Sequence, residues 1–92
     1  MAYLSKHATT WTGDSTAGSV SYHHTTIVRW DSDTVTLNTD GHDTETTRKR
    51  MNQAAEQFLL GFSVYQKNRQ WFVTTHDDGQ ETFYEDGMTL HR

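Results

Sequence analysis

Hydrophobic and β-branched residues alternate with polar ones over residues 20–30, and this period of two predicts a β-strand with one buried face. Turn-forming residues follow at positions 31–33, and residues 34–39 continue as a second strand with Val35 and Leu37 on one face. The pattern therefore predicts a first hairpin. The face of its first strand that we expect to be mainly buried consists of Val20, Tyr22, His24, Thr26, Val28 and Trp30.

The spacing changes to that of an amphipathic helix over residues 44–60, where apolar side chains recur at i, i+4, i+7 and i+8. Asp43 or Thr44 can act as the N-cap, Glu45 lies in the first turn, and Gly61 stops the helix. We expect one helix in the chain. Its apolar stripe consists of Met51, Ala55, Phe58 and Leu59.

The alternation typical of strands returns after the helix in three short segments. If residue 66 pairs with residue 71, Val64 faces Val73. A two-residue turn at residues 78–79 would then place Val73 opposite Tyr84, whereas a three-residue turn ending in Gly79 places it opposite Phe83. We favour the three-residue turn, because it gathers large apolar side chains on one face. The segments are residues 62–66, 71–75 and 81–85, and the gathered side chains are Phe62, Val64, Trp71, Val73 and Phe83.

The order of elements is completed by a turn at residues 86–87 and a short edge strand over residues 88–91. This order, ββαββ(β), predicts an α+β domain in which an antiparallel β-sheet is packed by a single amphipathic α-helix. Upstream, Trp11 is the only large apolar residue between positions 5 and 19, so this segment buries too little to offset its ordering entropy. We expect a flexible polar N-terminal segment over residues 1–19 and a single small domain over residues 20–92.

Composition narrows the classes of protein that this chain can represent. Its 92 residues suit one small domain, and the absence of Cys excludes disulfides, Cys-ligated zinc and thiol nucleophiles. A net charge of −4 opposes a general attraction to nucleic acid. The sequence has no apolar run of about 18 residues, the length that spans a bilayer, and its first residues are too polar for a signal peptide. We expect a soluble protein located in the cytoplasm.

Three aromatic side chains with neighbouring cations lie on the other face of the second hairpin in this arrangement. A row of aromatics on an open sheet, rimmed by cations, is what stacking of single-stranded nucleic acid requires. Alternatively, the N-terminal hairpin covers these aromatics as a second core layer, through Ile27 or Trp11. The aromatics are Tyr65, Phe72 and Tyr84, and the cations are Lys67 and Arg69.

A cluster of cations, Arg48, Lys49 and Arg50, occupies the first turns of the predicted helix, with Asn52 and Gln53 behind it. Arg48 leans toward the apolar stripe, and Lys49 and Arg50 point outward. Cations near a helix N-terminus oppose the macrodipole, so their placement does not serve stability alone. The cluster is either a solvated face or a contact for a phosphate or an acidic protein.

Catalytic constellations are nearly absent from the sequence. Only a ribonuclease-like set of two histidines and a lysine can be assembled, from His42, His76 and Lys49. It would require loops from opposite ends of the domain to converge. We therefore expect that the protein is not an enzyme.

The histidines do not form a pattern typical of metal ligands. His23 and His24 are adjacent on a predicted strand and point to opposite faces, and we expect His24 to be a core histidine. Residues 40–43 and 76–78 combine His with Asp in loops, but neither segment has the spacing of a known metal site. We expect no metal and no cofactor.

A distinctive series of motifs runs through the second half of the chain, at residues 46–53, Phe58, 61–62, 64–67, 71–73, Phe83 and 86–88. With these motifs the sequence resembles a group of small accessory proteins encoded by tailed bacteriophages and phage-like elements. The resemblance covers roughly residues 20–92 and is most distinctive over residues 46–73. It implies a small protein that acts in the cytoplasm of a bacterial host by binding a host component, including defence machinery.

These observations favour a non-enzymatic binding module, a phage-type accessory protein that engages a host protein or nucleoprotein. The first alternative is a nucleic-acid-binding module that uses the basic helix start and the sheet aromatics, with weak affinity. The second is a small structural protein of the virion, forming a homo-oligomer through an uncovered sheet edge. The candidate partner surface consists of Arg48, Lys49, Arg50, Asn52, Gln53, Tyr65, Lys67, Arg69, Phe72 and Tyr84.

Overall fold

A computed structural model describes residues 8–41, 43–77 and 79–92 of the chain. One helix and two antiparallel sheets make up this part of the protein, which confirms the α+β class. The elements in chain order are β1 (Thr9–Gly13), β2 (Gly18–Tyr22), β3 (Thr25–Trp30), β4 (Thr34–Leu37), α1 (Glu45–Gln57), β5 (Phe62–Lys67), β6 (Gln70–Thr75), β7 (Glu81–Phe83) and β8 (Thr89–His91).

The strands form two sheets where the sequence predicted one. The five-stranded sheet has the order β1-β2-β3-β4-β8, and the three-stranded sheet has the order β5-β6-β7. The last strand, β8, follows β7 in the chain but belongs to the five-stranded sheet, where it is an edge strand paired with β4. One continuous core draws on both sheets and on α1: Val20, Ile27, Val28, Trp30, Val35, Leu37, Met51, Ala54, Ala55, Phe58, Leu60, Phe62, Val64, Val73 and Leu90.

Helix α1 begins as the sequence predicted and ends earlier. The Thr44 side chain accepts a hydrogen bond from Thr47 N at 3.2 Å, so Thr44 is the N-cap. At the other end, Leu59 has a left-handed φ of 58°, and Leu60 N donates back to Ala55 O at 2.9 Å. This reversal turns Leu59 outward, where 76% of its surface is exposed. The prediction that Leu59 belongs to the buried stripe was therefore wrong.

The predicted strand over residues 20–30 is two strands joined by a tight turn. His23 and His24 both have positive φ, 49° and 71°, which lets β2 and β3 pair from Tyr22 and Thr25 onward. Such turns usually contain Asn or Gly, so two histidines gave no turn signal. The prediction of a buried His24 was wrong, because the residue is exposed at the tip of this hairpin.

A β-bulge in β3 changes which face of that strand is buried. Val20 pairs with Val28, but Ser21 pairs with Thr26, so Ile27 is the extra residue. Both Ile27 and Val28 are consequently buried in the core. The sequence left open whether Ile27 covers the sheet aromatics as a second core layer. Ile27 lies in the core instead.

Over the described part of the N-terminal segment, β1 and the start of β2 form strands where the sequence predicted no regular element. β1 pairs with β2 along its whole length, and Trp11 packs against the core. Trp30 Nε1 donates to Asp14 O at 2.7 Å, which fixes the loop between the strands. A Cβ at Gly18 would lie 2.6 Å from the Trp30 ring, so only glycine allows this contact. Residues 1–7 lie outside the described part.

The hairpin β5–β6 confirms the predicted pairing of Val64 with Val73. The register of β7 differs from both alternatives, because Val73 pairs with Thr82 and Phe72 pairs with Phe83. The connection between Thr75 and Glu81 is longer than either predicted turn. This shift moves Phe83 from the core face of the sheet to its outer face.

Candidate binding surface

Three aromatic rings form a row across the outer face of the three-stranded sheet. We call Tyr65, Phe72 and Phe83 the aromatic row. The ring centroids of Tyr65 and Phe72 are 5.7 Å apart, and those of Phe72 and Phe83 are 5.0 Å apart. Because side chains alternate along a strand, the row points away from the core side of the sheet.

Solvent reaches this row. Phe83 is 60% exposed, and Tyr65 and Phe72 are half-buried. None of the three belongs to the core or to the side chains packed against it in the described part of the chain. The row is therefore a contiguous apolar surface that the fold does not use internally.

Tyr84, predicted as the third aromatic of this surface, lies elsewhere. Its ring packs edge-on against Trp71, with centroids 5.3 Å apart, and its hydroxyl donates to Asp86 Oδ1 at 2.7 Å. Burial, followed by the nearby Asp86 carboxylate, raises the pKa of Tyr84 above its usual range. The register of β7 puts Phe83 in the position that was predicted for Tyr84. The sequence did not indicate this register, because the five-residue connection before β7 is rich in Asp and Gly and its turn could be assigned in more than one way.

The Asp86 carboxylate joins the loop before α1 to the turn before β8. It accepts from Thr39 N at 3.1 Å, from Thr39 Oγ1 at 2.8 Å and from Gly41 N at 3.3 Å, in addition to Tyr84. Partial burial raises the pKa of Asp86, but the donors Tyr84, Thr39 and Gly41 outweigh it and hold that pKa below its usual value. Tyr84 and Asp86 thus serve the fold.

Arg50 is buried, so the prediction that it points outward was wrong. Its Nε donates to Thr9 Oγ1 at 3.2 Å, its Nη1 donates to Gln53 Oε1 at 3.1 Å, and its guanidinium lies 5.8 Å from the centre of the Tyr22 ring. Only 9% of Arg50 is exposed. Its guanidinium is covered by Tyr22 of β2 and by Thr9 of β1, a strand that the sequence did not predict.

Arg48 and Asn52 also make contacts inside the fold. Arg48 Nη1 donates to Gln66 Oε1 at 2.8 Å, and its guanidinium lies 5.6 Å from the Trp71 ring centre. The Asn52 amide accepts from Val64 N and donates to Val64 O, both at 2.7 Å. These two bonds occupy the open edge of β5 where Val64 lies. Neither side chain is available to a partner in the way the sequence suggested.

Three of the cations predicted for the partner surface are exposed, and they lie in two different places. Lys67 lies on the outer face of β5, next to Tyr65, and Arg69 lies in the adjoining turn with a φ of 65°. Lys49 belongs to α1, and it lines a groove at the start of β5 rather than the aromatic row. Glu81 lies on the same outer face as Lys67, at the diagonally opposite corner. The aromatic row is thus bordered by charges of both signs.

An open groove of about 870 Å³ separates α1 from the start of β5. Lys49 and His76 both line it, so the structure brings together two members of the ribonuclease-like set. A hydrogen bond of 2.9 Å joins Ser63 Oγ and His76 Nε2 at its wall. The third member, His42, lies outside the described residues, as does Asp78 of the second candidate metal loop. Over the residues that are described, no three His, Asp or Glu side chains converge on one point.

A family model identifies the chain as a bacteriophage protein, which confirms the resemblance found in the sequence. The model is that of the Kyanoviridae Gp96 protein, and it matches residues 2–91. The chain therefore belongs to this family. The match extends the resemblance through the N-terminal strand, well beyond the range from residue 20 that the sequence motifs indicated.

Two further comparisons complete these findings. No curated protein and no solved structure matches the chain. Within the described residues, no helix has the length and apolar character needed to cross a membrane.

Proposed function

We propose that this phage protein is a non-enzymatic binding module that engages a host protein in the bacterial cytoplasm through the aromatic row. The observation that carries the proposal is the contiguous, solvent-facing set of Tyr65, Phe72 and Phe83 on the three-stranded sheet. Exposed aromatic side chains supply large apolar area at a small cost in conformational entropy. They are the side chains that most often anchor protein interfaces.

The charges around the row support a protein partner over a nucleic acid. Of the basic residues predicted for the surface, Arg50 is buried and Arg48 contacts Gln66 and Trp71. Lys67 and Arg69 remain beside the row, and Glu81 opposes them on the same face. Nucleic-acid affinity depends on the number of phosphates that are neutralised, so two cations on a chain of net charge −4 favour weak binding.

Single-stranded nucleic acid is the second candidate partner, because the row offers three rings on which bases can stack. Each stacked base contributes about 1 to 3 kcal/mol in proteins that bind single strands. With the few cations present, we expect a Kd above roughly 10⁻⁵ M at physiological salt. A fluorescence-anisotropy titration with a labelled oligonucleotide of about 20 nucleotides measures this. A salt-sensitive Kd below about 1 µM would put the nucleic-acid function first.

Capture from bacterial lysate with a matched pair of variants tests the proposed protein partner. Phe83→Ser removes the most exposed ring of the row, and Leu59→Ser removes an apolar side chain at the end of α1 that is still more exposed. We expect a partner that survives nuclease treatment, is lost with Phe83→Ser and is kept with Leu59→Ser. Equal capture by both variants, or loss of all capture after nuclease treatment, contradicts the proposal.

A further inference from the structure

The five-stranded sheet ends at β1, and the chemistry of this edge differs from that of every other edge. The strand consists of Thr9, Thr10, Trp11, Thr12 and Gly13, so it contains neither a charged residue nor a proline. In the described part of the chain, β1 pairs with β2 alone. An edge of this kind exposes a row of backbone donors and acceptors that another strand can use.

The hydrogen-bond pattern shows which backbone groups face outward. His23 N donates to Ala8 O at 3.0 Å, and Asp14 N donates to Ala17 O at 2.9 Å, at the two ends of the β1–β2 ladder. Because bonded and non-bonded pairs alternate in an antiparallel ladder, Thr10 and Thr12 bond to β2. The backbone N–H and C=O of Trp11 therefore point away from the sheet.

The remaining edges are blocked, charged or short. The Asn52 amide occupies the edge of β5 at Val64. β7 has only three residues, and it begins with Glu81 and is followed closely by Glu85. β8 also has three residues and is followed by Arg92. These are features by which proteins keep sheet edges from pairing. β1 is longer, with five residues, and its first charged neighbour, Asp14, comes only after the strand has ended.

We propose that β1 pairs antiparallel with β1 of a second copy of this chain, around a two-fold axis at Trp11. The two Trp11 backbones exchange both of their outward hydrogen bonds, and Thr10 of each copy lies opposite Thr12 of the other. A strand that pairs with itself in this way supplies its own complementary donors and acceptors. The absence of charge on β1 lets two copies approach there in spite of the net charge of −4.

The dimer joins the two five-stranded sheets into one continuous sheet and leaves both aromatic rows free. It is thus independent of the proposed function. Its interface consists of one strand from each copy, which is at or below the small end of specific interfaces. We therefore expect a weak dimer, with a Kd on the order of tens of micromolar.

Analytical ultracentrifugation of the full chain over a concentration series tests this proposal. Thr10→Lys with Thr12→Lys places lysines opposite each other across the two-fold axis, and it should weaken the dimer by at least about tenfold. Thr26→Lys with Thr36→Lys is the matched control, since it adds the same charge to the same face on interior strands. We expect the control to dimerise as the natural chain does. A natural chain that stays monomeric at millimolar concentration, or an equal loss in both variants, overturns the proposal.

Engineered cysteines test the register and remain informative if the lysine variant unfolds. The natural chain has no Cys, so introduced thiols are the only ones present. Thr10→Cys with Thr12→Cys should form disulfide-linked dimers under mild oxidation, because residues 10 and 12 face each other in the pair. Thr12→Cys alone should not become cross-linked under the same conditions, since its counterpart is Thr10. Equal cross-linking of both, or of neither, contradicts pairing in this register.

Discussion

The outer faces of the two sheets differ in chemistry, although both sheets contribute to one core. The five-stranded sheet presents hydroxyl groups to solvent, and neighbouring hydroxyls lie close together, as in the 3.3 Å contact of Ser21 Oγ with Thr26 Oγ1. The three-stranded sheet presents the aromatic row instead. The outward positions of the larger sheet are Thr10, Thr12, Ser19, Ser21, Thr26, Arg29, Thr34, Thr36, Thr89 and His91.

The fold accounts for the side chains on the outer face of the larger sheet, but it does not account for the aromatic row on the smaller one. Threonine favours extended backbone and is well solvated, so a Thr-rich outer face stabilises strands without attracting a partner. Tyr65, Phe72 and Phe83 also favour strands, but they leave apolar area in water that the core does not need. Of the two outer faces, the one on the smaller sheet is therefore the candidate surface for a partner.

The largest expected effect tests whether the two sheets share one core. Phe58 is buried and packs on Trp30 with ring centroids 4.7 Å apart, so Phe58→Ala should lower the free energy of unfolding by about 3 to 5 kcal/mol. Chemical denaturation followed by circular dichroism and by tryptophan fluorescence measures this. The neighbouring Leu59→Ala should have little effect, because Leu59 is exposed. Two separate transitions would show that each sheet has a core of its own.

A smaller effect is expected where α1 meets the five-stranded sheet. Arg50→Ala removes the bonds to Thr9 and Gln53 and the contact with Tyr22, so it should cost about 1 to 3 kcal/mol. Lys49→Ala is the control, since this exposed neighbour should change stability by less than about 0.5 kcal/mol. Equal midpoints of thermal unfolding for the two variants would contradict the buried position of Arg50.

Asp86 gives a pH-dependent effect at the junction of the two sheets. The pKa of Asp86 is lower in the folded chain than in the unfolded one, so its contribution is present above the unfolded pKa and is lost as pH falls through the folded pKa. Asp86→Asn should cost about 1 kcal/mol near pH 7, a modest figure because solvent screens this exposed carboxylate. Melting temperatures of the variant and the natural chain should converge as pH falls from 7 through the folded pKa of Asp86, which lies below the unfolded value of about 3.9. A difference that stays constant over this range would contradict the assigned role, and Glu85→Gln serves as the control.

The smallest expected effect is the one that tests the aromatic row itself. Phe83→Thr should change the free energy of unfolding by less than about 0.5 kcal/mol, because Phe83 is largely exposed and Thr suits a strand. Thermal unfolding measures this directly. A loss of more than about 1 kcal/mol would mean that the row belongs to the fold, and the contrast between the two outer faces would disappear.

The features that the sequence predicted correctly are those with local signals. Thr44 lies where an N-cap is needed, and the pairing of Val64 with Val73 follows from a two-residue turn between alternating strands. The hairpin around residues 31–33 is fixed by Asp31, whose Oδ1 accepts from Asp33 N and Thr34 N, both at 2.8 Å. Such signals lie within a few residues of the structure they determine.

The features that the sequence did not predict depend on distant contacts or on unusual backbone conformations. β1 has little apolar surface of its own, and it is held by pairing with β2 and by Arg50, which lies 41 positions away from Thr9. The turn at His23 and His24 uses positive φ without glycine, so its residues did not reveal it. Errors in these elements then carried into the candidate surface, where Arg50 and Tyr84 were included and Phe83 was omitted.

The double hydrogen bond between Asn52 and Val64 also limits the length of the connection between α1 and β5. Both bonds go to one residue, so α1 has a single longitudinal position along the strand. An added residue in the connection would advance β5 by about 3.3 Å, more than a hydrogen bond can stretch. The hydrogen bond from Leu60 N to Ala55 O also attaches this connection to the end of α1. Insertions and deletions between positions 58 and 61 therefore cannot be absorbed locally, as they can in an ordinary surface loop.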